Sequence, residues 1–226
     1  WYMRKKREFL RQRFFQQINR VRMENLRSRI SPHFTFNVLG REINQFNGSE
    51  EVKHNLMELV KYLRRSLELT EKLSVSLQDE LDFVRTYIEL ERGRVGEDFV
   101  ATITVEDGLD ATRIMIPSMI VQIPVENAIK HGLAGKDGKK ELMVYVSRET
   151  NGIRITVTDN GRGYLPQVVS ATRGTGTGLK VLYQTIQLLN TKNKSDKIRF
   201  NITNRSDGQT GTEVSVYIPF RFSYDL

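Results

Sequence analysis

Asp159-Asn160-Gly161-Arg162-Gly163-Tyr164 follows directly on residues 153–157, an alternating β-rich run. A carboxylate at a strand end can accept a hydrogen bond from an exocyclic amine such as that of adenine. Two glycines beyond it let backbone approach a flat base, because no Cβ stands in the way. Asp-Asn-Gly is also an ordinary turn sequence. The stretch therefore has to be read with its neighbours.

Upstream lies Val125-Glu126-Asn127-Ala128-Ile129-Lys130-His131-Gly132, inside a predicted helix over 117–133 with a kink expected at Pro124. Helical spacing puts Asn127, Lys130 and His131 on one face. A carboxamide oxygen can ligate Mg²⁺. An ammonium and an imidazole can meet phosphate oxygens. Glu126 points about 100° away from Asn127, so it is either a partner behind that face or a base. Downstream, Gly174-Thr175-Gly176-Thr177-Gly178-Leu179 opens a predicted helix over 178–190. Glycines ahead of a helix N-terminus expose N–H groups to phosphate. The loop is neither a Walker A loop, which needs Gly-Lys-Ser/Thr, nor a Rossmann fingerprint. In this order and context, the three features converge on a nucleotide.

Further outward, residues 99–105, 142–146, 198–202 and 214–218 read as strands. Ser76-Leu77-Gln78-Asp79-Glu80 reads as a helix start, with Leu81, Val84 and Ile88 as the apolar face. Helices interleaved with strands predict an α/β module from about residue 73 to 226. Residues 1 to about 70 read as helices. Leu10, Phe14, Ile18 and Val21 form one narrow stripe, and Val52, Leu56, Leu59, Val60, Leu63 and Leu67 another, with a turn at Asn47-Gly48-Ser49 between. A hairpin this thin has no core of its own, and a dimeric four-helix bundle would supply one. The fold class expected is therefore α+β multidomain. A long coiled-coil or helical-hairpin dimerisation module precedes an α/β sandwich, with divisions at 1–27, 28–72 and 73–226.

The helical module contains Ile30-Ser31-Pro32-His33-Phe34-Thr35-Phe36-Asn37. Ile30, Phe34 and Val38 continue the apolar stripe, His33 lies beside it, and Asn37 follows one turn later. An exposed imidazole on a rigid helix can be a nucleophile toward phosphorus. Pro32 implies a bend or a helix start next to it.

Composition sets the outer limits. The net charge is +8, and residues 1–30, with ten basic and two acidic groups, hold all of it. Residues 31–226 are formally neutral, which counts against a nucleic-acid-binding surface. The absence of Cys excludes disulfides, thiolate zinc sites and a cysteine nucleophile. No run of 18 apolar residues is present, so no membrane span is expected within the chain. Trp1-Tyr2-Met3 ahead of Arg4-Lys5-Lys6-Arg7 resembles the cytoplasmic edge of a membrane helix. The expectation is the cytoplasmic portion of a membrane protein whose transmembrane and sensor regions lie elsewhere. Residues 1–30 would then face anionic lipid. A basic, solvated helix face is the plainer alternative.

Together these motifs resemble the LytS/YesM-like sensor histidine kinases, from about Leu26 onward. Residues 31–37 resemble that family's phosphoacceptor box, with Ser31 and Thr35 replacing the usual Asn and Leu. Leu77 through Arg94 resembles its lead-in helix. Glu126-Asn127 with Lys130-His131 matches the N box. Asp159, Gly161 and Gly163 match the G1 box, and Gly174, Gly176, Gly178 and Leu179 the G2 box. Gly211-Thr212 matches the final strand motif. The resemblance implies a Bergerat-type GHKL α/β sandwich binding ATP and Mg²⁺. Asn127 would be the Mg²⁺ ligand, Lys130 and His131 would lie near the phosphates, and Asp159 would read adenine. It also implies autophosphorylation of His33 in a homodimer, then transfer to an Asp of a response regulator receiver domain. Asn37 and Glu126 are candidate catalytic groups, Asn37 for orienting water in a reverse phosphatase reaction. The ten residues between Gly163 and Gly174 make a short lid for the superfamily. A GHKL-type ATPase or nucleotide-binding scaffold without phosphotransfer to His33 is the alternative, with Glu126 as base for water.

Overall fold

The computed structural model describes residues 49–164, 177–191, 193 and 195–224. The expectations for His33 and Asn37, the helix before Asn47, and Gly174 and Gly176 lie outside the described residues.

Helix α1 spans Glu50–Glu71, and the Ser49 side chain caps it by accepting the Val52 N–H at 3.3 Å. Its docked face is not the expected stripe. Tyr62 stacks on Phe83 with ring centroids 4.8 Å apart, and its ring lies 5.7 Å from that of Tyr87. One and two turns beyond Tyr62, Ser66 is half-buried and Leu69 wholly buried. On the expected stripe, Val52 and Leu59 remain 43% and 39% exposed, while Leu56, Val60, Leu63 and Leu67 are half-buried. Helix α1 thus carries two apolar faces, and among the described residues the less conspicuous one makes the ring contacts to α2.

Strand β1 (Ser74–Ser76) pairs antiparallel with β3 (Met115–Pro117). Helix α2 (Leu77–Val95) starts where expected. Ser76 caps it by accepting the Asp79 N–H at 3.0 Å, and its hydroxyl donates to Asp79 Oδ2 at 2.7 Å. Strand β2 (Phe99–Val105) coincides with the run read from the sequence.

The expected helix over 117–133 is not continuous. Pro117 ends β3, and the chain turns through Met119 at φ 69. Helix α3 then covers only Gln122–Asn127, and a π-helical turn covers Ala128–Gly132. Pro124 makes no kink. It is the third residue of α3, in the first turn, where an N–H has no partner inside the helix.

Strands β4 (Lys140–Glu149) and β5 (Gly152–Asp159) form a hairpin. Helix α4 (Thr177–Asn190), β6 (Arg199–Asn204) and β7 (Thr212–Pro219) complete the chain order. The main sheet runs β2-β4-β5-β7-β6, with β2 and β4 parallel and its other pairs antiparallel. Alternation decides which residues face the helices. Val144, Val146, Ile153, Ile155, Val157, Val214, Val216 and Ile218 are all buried. They share one core with Leu81, Val84 and Ile88 of α2, Val125 of α3, Ile129, and Leu182, Ile186 and Leu189 of α4. Met143 and Tyr145, on the opposite face of β4, are 47% and 39% exposed. The result is a two-layer α/β sandwich with one open sheet face. Among the described residues no helix is long and apolar enough to cross a membrane.

Candidate nucleotide site

The same alternation that buries Ile153, Ile155 and Val157 aims Asp159, the last residue of β5, into the helical layer. Asp159 is 4% exposed. Its Oδ1 accepts the Gly161 N–H at 2.8 Å and the Thr212 N–H at 3.3 Å. Burial pushes the Asp159 carboxyl above its ordinary range, while those two N–H groups, the Thr212 hydroxyl and the Arg205 charge pull it back.

The glycines around Asp159 also meet a packing demand within the protein. A Cβ on Gly161 would lie 2.1 Å from the Gly132 carbonyl oxygen. A Cβ on Gly211 would lie 1.9 Å from the Asp159 carbonyl oxygen. Backbone of the protein fills the missing side-chain volume at both. Gly163 sits beside Asn204, whose Oδ1 accepts the Tyr164 N–H at 2.6 Å. The turn is also stitched by Asn160, whose Oδ1 accepts the Glu141 N–H at 2.8 Å and whose amide donates to the Lys139 carbonyl at 3.0 Å. Arg162 donates to the Ala134 carbonyl at 3.0 Å.

At the other end of the site, Asn127 closes α3. Its carboxamide Nδ2 donates to the Ile123 carbonyl at 2.7 Å, and among the described residues its oxygen accepts no hydrogen bond. Lys130 Nζ is bonded to Glu126 Oε1, one turn back, with each side chain about one-third exposed. Glu126 is thus paired with Lys130, a contact compatible with either role the sequence left open. The wider π turn rotates Lys130 and His131 away from the α-helical spacing on which a shared face was reasoned. Burial, then the Lys130 and Arg162 charges, hold the His131 imidazole below its ordinary range, partly offset by Glu126. That imidazole is neutral at pH 7.

The π turn links the two ends. Asn127 precedes it, and Gly132, its last residue, packs against the Asp159 carboxylate. The first turn of α4 completes the corner. A Cβ on Gly178 would lie 3.3 Å from Ile123 Cγ2 and 3.8 Å from Asn127 Nδ2. Leu179 beside it is half-buried. The fold therefore gathers Asn127, Lys130, His131, Asp159, Gly161, Gly178 and Thr212 from four separate segments. An open polar hollow of about 660 Å³, lined by Glu106, Arg148, Glu149, Asn151, Arg199 and Tyr217, lies at the opposite end of β5 and takes no part in this corner.

Sequence reasoning missed how Gly132 and Gly211 pack, although both stood in quoted motifs. It also missed the Arg205 charge, held by Asp207, beside Asp159. A cation at the start of an irregular loop carries no periodic signal.

Comparison with known proteins gives the context. A family model described as histidine kinase matches residues 21–99. A second, for histidine kinase-, DNA gyrase B- and HSP90-like ATPases, matches residues 112–221. Sensor histidine kinase YpdA of Escherichia coli is 28% identical over 202 residues, which are 89% of this chain and 34% of that protein. Sensor histidine kinase/phosphatase LytS of Staphylococcus aureus is 32% identical over 197 residues, 83% of this chain and 33% of that protein. The chain spans about a third of the length of these relatives. The histidine kinase domain of the blue-light activated histidine kinase EL346 from Erythrobacter litoralis shares the fold, with a TM-score of 0.50 at 16% identity. That match covers 91% of this chain and 94% of the other.

Proposed function

The chain belongs to the sensor histidine kinases, with their GHKL-type ATPase sandwich, and on that premise we propose that it is a kinase core that binds Mg²⁺·ATP and phosphorylates its own His33. The observation that carries this reading is the corner in which Asp159, Asn127 and the first turn of α4 meet. Buried Asp159 accepts the amine of adenine. Lys130 and the neutral His131 meet phosphate oxygens. The N-terminal turn of α4, with Gly178 and Leu179, cradles them together with the preceding motif glycines Gly174 and Gly176.

The residues present fit a Mg²⁺ ion shared with the triphosphate. Asn127 offers a carboxamide oxygen, and among the described residues no three His, Asp or Glu side chains form a metal cage of their own. When bound beside Asn127, such an ion would supply charge neutralisation for the phosphates. Protein groups supply position. With the nucleotide held at the corner, a ring nitrogen of His33 attacks the γ-phosphorus in line. The bond to the bridging oxygen breaks, ADP departs, and a phosphoimidazole remains. The phosphoryl group then passes to an Asp of a response regulator receiver domain, and Asn37 orients water in the reverse, hydrolytic reaction.

Domain roles follow the same reading. Residues 1–27 are a signalling helix at an anionic membrane surface, 28–72 the dimerising phosphotransfer hairpin, and 73–226 the ATP-binding module. The apolar stripe of α1, on which Val52 and Leu59 are exposed, supports a homodimer built on that face.

Incubation with γ-labelled ATP tests the proposal. The expected product is an acid-labile, alkali-stable label that His33→Gln abolishes. A label that persists in His33→Gln overturns the site. ATP consumed without any label replaces the kinase with an ATPase of the same fold.

A further inference from the structure

Glu80 lies on the apolar side of α2, between Leu77 and Leu81, and is wholly buried. A carboxylate on such a face demands an explanation. Its Oε2 accepts the Met119 N–H at 2.8 Å. Its Oε1 accepts the N–H groups of Val121 at 2.9 Å and Gln122 at 3.2 Å. These donors belong to the turn between β3 and α3 and to the first residue of α3, at a point where a helix leaves N–H groups without internal partners.

The turn they hold is an unusual one. Met119, at φ 69, is the only non-glycine residue with positive φ among the described residues. That conformation persists only where surrounding contacts over-determine it. Here Glu80 holds it from one side. From the other, the Ser118 N–H donates to the Leu73 carbonyl at 3.1 Å, and the Ser118 hydroxyl donates to the Leu69 carbonyl. Between this clamp and Asn127 lies only the continuous six-residue helix α3. A helix that short cannot set its own pose, because it has few internal hydrogen bonds. Its direction comes from what grips its start.

We propose that Glu80 is a positioning residue for the nucleotide site, whose carboxylate fixes the start of α3 and so the pose in which Asn127 and Lys130 are presented. The inference rests on the reading of those residues as nucleotide contacts. It also explains why the position takes a carboxylate. Three donors converge on two oxygens. An amide of the same shape would turn its NH₂ toward at least one of those N–H groups. Asp keeps both oxygens on a stem one methylene shorter.

The test compares Glu80→Gln and Glu80→Asp in the full chain, by ATP titration calorimetry and by amide hydrogen exchange. In Glu80→Gln, ATP Kd rises at least tenfold. Exchange accelerates over residues 118–131, while β4 and β5 keep the protection of the parent. Glu80→Asp returns ATP Kd to within about threefold of the parent. Parent-like ATP affinity in Glu80→Gln overturns the inference. So does protection lost equally over β4 and β5, which would mark Glu80 as a general core group. If Glu80→Gln does not fold, Glu80→Asp decides alone. Parent-like affinity in Glu80→Asp with accelerated exchange at 118–131 would separate helix pose from binding and overturn the inference. A parent chain that binds no ATP removes the nucleotide reading itself, a result distinct from these.

Discussion

The two ends of the candidate site are built on opposite principles. Around Asp159 the protein excludes side chains. Gly132, Gly161 and Gly211 bring three stretches of backbone so close that two of the missing Cβ atoms would fall within about 2 Å of a carbonyl oxygen. Around Asn127 the protein pairs its charges instead. Lys130 rests on Glu126, the Asn127 amide on its own helix, and His131 sits near two cations. The first end is closed by backbone packing. The second consists of paired polar groups that a phosphate, on the proposed reading, would re-pair. Steric substitutions should therefore break the first end, and charge and pH should move the second.

The sharpest way to break the contrast is Gly161→Ala. Its methyl meets the Gly132 backbone, which has no flexible end to yield. Overpacking of this kind costs about 3 kcal/mol, so urea unfolding should show a loss of that size and ATP binding should vanish. Parent-like stability would mean that the corner is not packed by exclusion.

Next in size is Asp159→Asn, where binding and stability should part company. Losing a charged acceptor weakens ATP binding by about ten- to a hundredfold. Stability should not fall with it. The Asp159 carboxyl is raised from its ordinary 3.8. The stabilising share of a raised acid is fully present below that value and is lost as pH rises through the folded-state value. At pH 7 the parent therefore carries the cost of a buried charge, and Asn removes it while keeping an acceptor for Gly161. Thermal unfolding beside titration calorimetry would show equal or higher Tm with weaker binding. A lower Tm would make Asp159 a structural anchor.

A smaller effect separates the phosphate end by pH. The His131 imidazole is lowered from 6.5, chiefly by burial. Its contribution to stability is present above 6.5 and fades as pH falls through the folded-state value. Parent stability should decline below pH 6.5, and His131→Gln should flatten that decline. NMR titration of His131 gives the direct reading, and a midpoint at or above 6.5 would refute it.

Smallest is Glu126→Gln. The pair it breaks is about one-third exposed, so it should cost only about 0.5 kcal/mol. Freed Lys130 should tighten ATP binding about two- to threefold at low salt and leave it unchanged at high salt. A tenfold loss of turnover with unchanged binding would mark Glu126 as the base.

Much of this could be read before the fold was seen, and the failures have a common cause. Residues 99–105 alternate cleanly, and β2 occupies that run. Leu182, Ile186 and Leu189 recur at helical spacing, and all are buried on α4. Strands β1 and β3, at three residues each, are too short to display a period. Residues 117–133 looked like one helix because apolar residues continue through the turn at Met119. On α1 the apolar stripe was legible, whereas Tyr62 and Leu69 on another face, which pack against the rest of the described residues, show no such period.

Sequence alone determined which chemical groups are present, their order along the chain, and the local elements that carry them. Periodicity and glycine punctuation are local properties, and they suffice for that. Only the tertiary structure decided that Glu80 grips residues some forty positions away, that Gly161 makes room for Gly132, and which side of α1 meets α2. Each depends on which surfaces meet, and a meeting of distant segments leaves no trace in the spacing of either one.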